Sequence, residues 1–523
     1  MCYTCKNSAT HITYREVPLI YPSPYPSLEI PDTDVFDLIF GGLTEEDAAL
    51  PAVTELSTGT TATYAELKAY AESIAGELAS RGIGPGDVVT LQVPNSINYA
   101  AGLLGIMHAG ATVNPIGMLM NQADVEHIVS ASRSKLFIGP TDLEQIPQIF
   151  SMELQSIAQH RHPAPELRID PASMAAVPFS SGTTGLPKGV QLSHGNLVSN
   201  ILQVDAMVDL SGIRPQANTL SVLPFSHIYG LTVLLLGPLY RRHHIFTMPK
   251  FDIGLFLGAH AKHGIELTFI APPMAIAMAK GPEIDPTWFA DSKLMVSGAA
   301  PIDAPIMRAV EDRLGTKVVQ GWGMTEASPL VALNLHGDAD YSSVGKPTPN
   351  TEIRLVDIET LEDVEEGQEG EVLVRGPQVM QGYLDNPEAT GKTLVQDGWL
   401  RTGDIARVGE DGGLRIIDRA KEVIKYKGYQ VAPAELEALL LTHPDVNDVG
   451  VVGAERDGLE IPRAFVVKRE GSDPSAEELM DWVAERVTPY KKVRAVEFID
   501  AIPKNPTGKI LRRELREVPW PGE

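Results

Sequence analysis

The sequence predicts an α/β protein with a large N-terminal domain of layered sheets, a small β-rich subdomain within it, and a small C-terminal domain. Three observations lead there. Helix-period segments alternate with short apolar runs up to about residue 345, the pattern of partly parallel sheets covered by helices. From about Gly345 to Ile417 the texture changes to short strands divided by Gly, Asp and Pro. After Ile417 the charge balance shifts: residues 418–523 carry 17 Lys and Arg against 20 Asp and Glu, whereas the rest carries 26 against 48. The domains are therefore read as 1–417 and 418–523. A length of 523 residues is ample for such cores without covalent staples.

Residues 15–58 are rich in Pro and Asp, with little periodicity before Val35. Thr63 followed by Glu66 reads as a capping box, and Tyr64, Leu67, Ala71, Ile74 and Leu78 fall on one helix face. The turn Gly82-Ile83-Gly84-Pro85-Gly86-Asp87 ends that helix, and Val88–Val93 reads as a buried strand. These glycines follow a helix and precede a strand, the reverse of a dinucleotide fingerprint, so they are a plain turn. A helix over Ile97–Ala109 and a strand over Ala111–Pro115 follow. Further strands are expected at Glu352–Asp357, Gly370–Arg375 and Leu414–Ile417, and a helix from Pro433.

Composition excludes several functions. A net charge of −25 disfavours nucleic acid and anionic membrane surfaces, which need clustered Lys and Arg. Apolar runs such as Leu231–Leu239 are far shorter than the roughly 20 residues of a spanning helix, so no integral membrane association is expected. The N-terminus lacks a basic patch followed by an apolar core, and the two cysteines, Cys2 and Cys5, have no second CxxC and no strand–helix context. They read as a plain terminus, and a reducing, cytoplasmic compartment is expected.

Five segments carry chemistry. Ser180-Ser181-Gly182-Thr183-Thr184-Gly185-Leu186-Pro187-Lys188 combines hydroxyls, glycines and a lysine between apolar flanks. Backbone N–H groups, hydroxyls and a cation so placed can cradle phosphate; a flexible surface hairpin is the plainer alternative. It is not a Walker A loop, and the GKT at Gly391 has Asn386 where that loop needs glycine. Gln320-Gly321-Trp322-Gly323-Met324-Thr325-Glu326 offers a flat aromatic face, a hydroxyl and a carboxylate able to ligate Mg²⁺, or else a tight turn with a core Trp. In Trp399–Asp404 a carboxylate after glycine at a strand end can grip ribose hydroxyls or simply satisfy a turn. Asp418–Gln430 gathers several cations, which a solvated strand face would also show, and Pro503–Arg513 places Lys509 beside Gly508 on a loop.

In this order and at these separations the segments resemble the acyl-adenylate-forming enzymes, the superfamily of acyl-CoA synthetases, peptide-synthetase adenylation domains and firefly luciferase. The resemblance covers about residues 35–515. Its texture is similar to 4-coumarate–CoA ligase and luciferase through Leu223-Pro224-Phe225-Ser226-His227-Ile228-Tyr229, Ser297-Gly298-Ala299-Ala300-Pro301 and the run from Lys425 to Glu437.

The resemblance implies an ATP-dependent carboxylic acid–CoA ligase using ATP, Mg²⁺ and coenzyme A, with a mobile α+β C-terminal domain. Ser180, Ser181, Gly182, Thr183, Thr184, Gly185 and Lys188 would wrap the β- and γ-phosphates. Thr325 would contact the α-phosphate and Glu326 would hold the metal. Asp404, assisted by Arg419, would bind the ribose. Gly298, Ala299, Ala300, Pro301, Gln320, Gly321, Trp322, Gly323 and Met324 would surround the adenine and AMP. Lys509 would bridge the acid and the α-phosphate. For the thiol step the small domain would swing about Lys421, replacing Lys509 by the region of Lys425 and Gln430. Gly428 would let the pantetheine arm pass, and Lys427 would meet coenzyme A phosphates or only solvent. His227 would gate the acyl pocket.

Tyr229, Thr232, Ile270, Val296, Gly298, Ala299, Gly323, Pro329, Leu330 and Val331 would line that pocket. Hydroxycinnamate ligases often place an amide at the position of Thr232, and some a lysine at that of Val296; this chain has neither. The expected acid is uncharged and mostly apolar: aryl-propenoic, aryl-alkanoic or medium-chain fatty. The alternatives are an acyl-AMP synthetase loading a separate carrier protein, a luciferase-like oxygenase and a non-catalytic nucleotide sensor. With the sequence ending soon after Lys509 no fused carrier domain is expected, and Lys188, Glu326, Asp404 and Lys509 are all present.

Overall fold

The computed structural model describes residues 19–180, 187–281, 284–302, 304–335, 340–419, 422, 424–426, 429–456, 459–504 and 508–520; the Cys2–Cys5 pair lies outside them. Among these residues the large N-terminal part holds three sheets. One is nine-stranded, ordered Lys346–Pro347, Leu330–Leu333, Lys317–Gly323, Leu294–Ser297, Leu267–Ile270, Asn218–Ser221, His244–Thr247, Pro51–Glu55, Thr61–Thr63. Its six central strands are parallel and its edges antiparallel. The second has parallel strands Met174–Ala176, Thr112–Pro115, Val88–Leu91, Leu136–Gly139 and Gln148–Phe150, extended antiparallel by Lys188–Ser193 and Gly382–Tyr383.

Val88–Leu91, Leu136–Gly139, Leu267–Ile270 and Leu294–Ser297 are buried at every position, as strands must be when helices cover both faces. The helix Tyr64–Ser80 starts at the expected capping box, with Glu66 N donating to Thr63 Oγ1 at 3.2 Å and Thr63 N to Glu66 Oε2 at 2.8 Å. Its predicted face is fully buried against the core that runs between the two sheets. The apolar run after Ile228 forms a wide helix, Tyr229–Leu236, with i→i+5 bonding, continued by Gly237–Tyr240. No helix among the described residues is long and apolar enough to cross a membrane.

The expected β-rich region is an antiparallel sheet of Ile20–Pro22, Glu352–Val356, Gly370–Arg375, Trp399–Val408, Leu394–Val395 and Leu414–Arg419. Asp404 therefore lies inside a ten-residue strand, a correction to the strand end expected from its glycine. Gly403 takes φ +71°, which lets the strand bend there without ending. The register of this sheet pairs Asp404 directly with Arg419.

From residue 424 onward the apolar side chains form cores of their own. Val446–Arg456 and Leu459–Lys468 pair antiparallel, Ala495–Phe498 adds in parallel, and helices Pro433–Leu441 and Ala476–Ala484 pack alongside. This part touches the large one through the Lys509 loop. A Cβ at Gly508, whose φ is +85°, would fall 2.7 Å from Cγ of Pro273.

Candidate active site

A cavity of about 1060 Å³ opens between the two parts. Phe179, Ser180 and Lys188, which flank the glycine-rich segment, line one wall. The strands Phe179–Ser180 and Lys188–Ser193 pair antiparallel with Ser180 opposite Lys188. Ser181, Gly182, Thr183, Thr184 and Gly185 lie outside the described residues. Ser180 Oγ donates to Glu326 Oε1 at 3.3 Å, and the Tyr383 hydroxyl donates to the same oxygen at 2.8 Å. Lys188 Nζ stands 5.1 Å from the centre of the Tyr383 ring. Burial, and then the Glu326 charge, push the Tyr383 phenol up, so it stays a donor. No hydrogen bond between described residues falls on Glu326 Oε2. A single carboxylate oxygen at a cavity wall fits Mg²⁺, which takes one or two carboxylates and completes its shell with phosphate oxygens and water.

The strand Lys317–Gly323 and the turn Thr325–Ala327 supply the next wall. Trp322 Nε1 donates to Asp404 Oδ2 at 2.9 Å, and Arg419 Nε lies 3.4 Å from Asp404 Oδ1. Burial raises the Asp404 pKa; Arg419, Trp322 and Lys509 oppose that shift. Beside it Arg401 is ion-paired with Glu371, whose Oε1 also accepts from Gly403 N at 3.2 Å.

Lys509 enters the same cavity from the C-terminal part. Burial and the nearby Arg419 lower its pKa to about 8, with Glu422 and Asp404 pulling the other way. His227 opens on the cavity, and its Nδ1 accepts from Tyr229 N at 3.2 Å. The enclosing protein, and then Lys509, lower its pKa to about 4, which keeps the ring neutral at pH 7.

Beyond His227 the cavity becomes an apolar recess lined by Val204, Val208, Val233, Phe269, Val296 and Leu330. The Tyr229 hydroxyl donates to Val296 O at 3.3 Å, and a Cβ at Gly298 would press the Tyr229 ring at 3.0 Å. The arrangement can hold a polyanion under Lys188, Arg419 and Lys509, next to an apolar acid.

Of the predicted residues, Ser180, Lys188, His227, Tyr229, Val296, Gly298, Ala299, Gly321, Trp322, Gly323, Met324, Thr325, Glu326, Pro329, Leu330, Asp404, Arg419 and Lys509 line this one cavity. Several others do not. Thr232, Ile270 and Val331 are fully buried behind the wall, and Phe269 and Val233 take the places expected for the first two. Gln320 is held structurally, with Nε2 on Tyr341 O at 2.9 Å. Ala300 and Pro301 are not among the lining residues. Lys425 pairs with Gln430 through the backbone of the hairpin Ile424–Tyr426 and Tyr429–Val431, while Lys421, Lys427 and Gly428 lie outside the described residues. Tyr383 and Glu371 lie in none of the five segments, and Arg401 lies in the Trp399–Asp404 segment with no role expected of it; strand pairing brings them to the cavity.

Comparison with known proteins places the chain in a family. Residues 44–384 match the family described as AMP-binding enzyme, and residues 435–509 match its C-terminal domain. The chain is 35% identical over 532 residues to 4-coumarate–CoA ligase 2 of Nicotiana tabacum, covering 96% of this chain and 97% of that protein. ATP-bound MatB from Rhodopseudomonas palustris superposes with a TM-score of 0.86 at 26% identity, covering 93% of this chain and 99% of that one. The anthranilate CoA ligase AuaEII, solved with anthranoyl-AMP, gives a TM-score of 0.84 at 25% identity, covering 94% and 97%. With a family match over most of its length and a relative above 30% identity end to end, the chain belongs to the AMP-binding enzyme family, as an enzyme of 4-coumarate–CoA ligase-like sequence.

Proposed function

We propose that the protein is an ATP-dependent carboxylic acid–CoA ligase acting in two half-reactions. In the first, a carboxylate oxygen of the acid attacks the α-phosphorus of ATP, and the bond to the bridging oxygen breaks to release pyrophosphate. In the second, the thiol sulfur of coenzyme A attacks the acyl carbon; the acyl–phosphate bond breaks, AMP leaves and the thiol proton passes to solvent.

Two anions must meet in the first step, so cations must offset their repulsion. Lys509 bridges the acid and the α-phosphate, Thr325 donates to the α-phosphate, and Lys188 with the hairpin hydroxyls holds the outer phosphates. Asp404 accepts the ribose hydroxyls, and Trp322 faces the adenine. Glu326 would hold Mg²⁺, which when bound would supply charge neutralisation for the phosphates. His227 stays neutral and forms a gate between the nucleotide and the apolar recess. For the second step the C-terminal part rotates about Lys421, withdrawing Lys509 and presenting Lys425 and Gln430.

One observation carries the reading: Lys509, from the C-terminal part, shares a cavity with Thr325, Glu326 and Asp404 of the large part. The recess beside them is apolar, so the acid is uncharged and largely apolar at its far end, aryl-propenoic, aryl-alkanoic or medium-chain fatty. The test is a panel of such acids scored for acid-dependent ATP–pyrophosphate exchange and for coenzyme A-dependent AMP release. Lys509→Ala abolishes exchange, whereas Lys425→Ala leaves exchange and impairs thioester formation from supplied acyl-adenylate. Exchange that survives Lys509→Ala refutes the assignment.

A further inference from the structure

We propose that Trp322 is a positioning residue for ribose recognition, its indole N–H holding the Asp404 carboxylate in the one orientation that presents an edge to paired hydroxyls. This rests on the reading of Asp404 as the ribose acceptor.

The Asp404 carboxylate is anchored on both oxygens from two different strands. Trp322 Nε1, on the strand Lys317–Gly323, donates to Oδ2 at 2.9 Å. Arg419 Nε, on the strand Leu414–Arg419, lies 3.4 Å from Oδ1. The terminal torsion of an aspartate is broad and two-fold, so a carboxylate held on one side only would swing. The Arg419 contact is long for a hydrogen bond; the Trp322 bond is the short one and sets the angle. Asp404 is buried and costly to ionise, and a donor on its charged form offsets that cost.

Trp322 also lines the cavity. A phenylalanine or tyrosine ring there could offer a face to a base, but neither has a ring N–H where Nε1 stands. Of these three aromatic residues, only tryptophan joins a broad aromatic face to an N–H fixed in the ring plane. One side chain thus sets the position of a stacked base and the orientation of the sugar's acceptor together. A nucleotide lacking either the base or the vicinal diol then loses more than one contact.

The experiment compares kcat/KM for ATP and 2′-deoxy-ATP in acid-dependent pyrophosphate exchange. Trp322→Phe keeps an aromatic face and deletes the N–H. It narrows the discrimination between the two nucleotides by about tenfold, the worth of one hydrogen bond to a charged group, with the acid KM unchanged. The acidic limb of kcat/KM for ATP moves to higher pH, because Asp404 has lost a donor to its ionised form. Site-specific replacement of Trp322 by 3-benzothienylalanine, which keeps the shape and lacks only the N–H, gives the same two changes and guards against a folding defect. Full discrimination and an unmoved acidic limb in both variants, with discrimination lost in Asp404→Asn, overturn the role of Trp322. Discrimination retained in Asp404→Asn as well overturns the ribose reading beneath it.

Discussion

Tyr383 and Glu326 are joined by a 2.8 Å hydrogen bond across the seam between the strand Gly382–Tyr383 and the turn Thr325–Ala327, which are 57 residues apart in sequence. The same ring carries the Lys188 ammonium, 5.1 Å from its centre. One side chain therefore orients both the carboxylate and the lysine at the phosphate end of the cavity.

Tyr383→Phe keeps the ring under Lys188 and leaves Glu326 Oε1 with only the longer bond from Ser180 among the described residues. The Mg²⁺ requirement of the exchange reaction rises about tenfold, as expected when a hydrogen bond to a charged group is deleted. Nucleotide binding without Mg²⁺ stays as in the parent. A Mg²⁺ titration of exchange reads this directly, and an unmoved midpoint would remove Tyr383 from the site.

The lowered pKa of Lys509, about 8, gives a pH dependence of defined sign. In the proposed mechanism the ammonium is the active form, so kcat/KM for exchange is expected to fall as pH rises through that value, tenfold per unit beyond it. Lys509→Arg replaces a titrating group by one charged throughout this range. It lowers exchange overall and flattens the alkaline limb. A limb that persists in Lys509→Arg belongs to another group.

Gly508 supplies the left-handed turn that drops Lys509 into the cavity, at φ +85° against Pro273. Gly508→Ala adds a Cβ that must displace the loop and imposes a strained backbone of roughly 1 kcal/mol. Exchange is expected to fall several-fold while thioester formation from supplied acyl-adenylate is spared, because in the proposed mechanism the second step does not use Lys509. Equal losses in both assays would argue for general misfolding instead.

Arg512 ties the same loop to its own unit. It pairs with Glu422 at 2.6 Å and with Glu437 at 2.7 Å, and its Nε donates to Val451 O at 3.2 Å, all largely buried. Arg512→Ala leaves two buried carboxylates without their cation, a loss of about 3–5 kcal/mol. The C-terminal part then opens at lower temperature and residues 429–504 exchange amide hydrogens faster, with the large part unaffected. Glu422→Gln combined with Glu437→Gln in the Arg512→Ala background recovers part of the loss. Hydrogen exchange resolved along the chain measures both effects.

Much of this was legible along the chain because it is local chemistry. The Thr63 cap, the strand Gly370–Arg375 and the helix from Pro433 follow from side chains a few residues apart. The residues Ser180 and Lys188, the Trp322–Glu326 segment, Asp404 and Lys509 stand out because glycine, hydroxyl and charge are concentrated around them between apolar segments.

The acyl recess was less legible. Leu330 faces it as expected, but Val331 and Ile270 do not: successive strand residues point to opposite faces, so Val331 beside Leu330 cannot also line the cavity, and Phe269 lines it in place of Ile270. Thr232 turned away because its helix is wound wider than an α-helix, which brings Val233 round to the cavity instead.

What the linear chain decided alone is the set of reactive groups, their family and the order in which they come. What only the tertiary structure decided is their company: Tyr383 on Glu326, Trp322 on Asp404, and Lys509 brought by Gly508 against Pro273. Those partners come from strands and loops tens to hundreds of residues apart. Their meeting is set by sheet register and by the docking of one folded unit on another, neither of which is written in local periodicity.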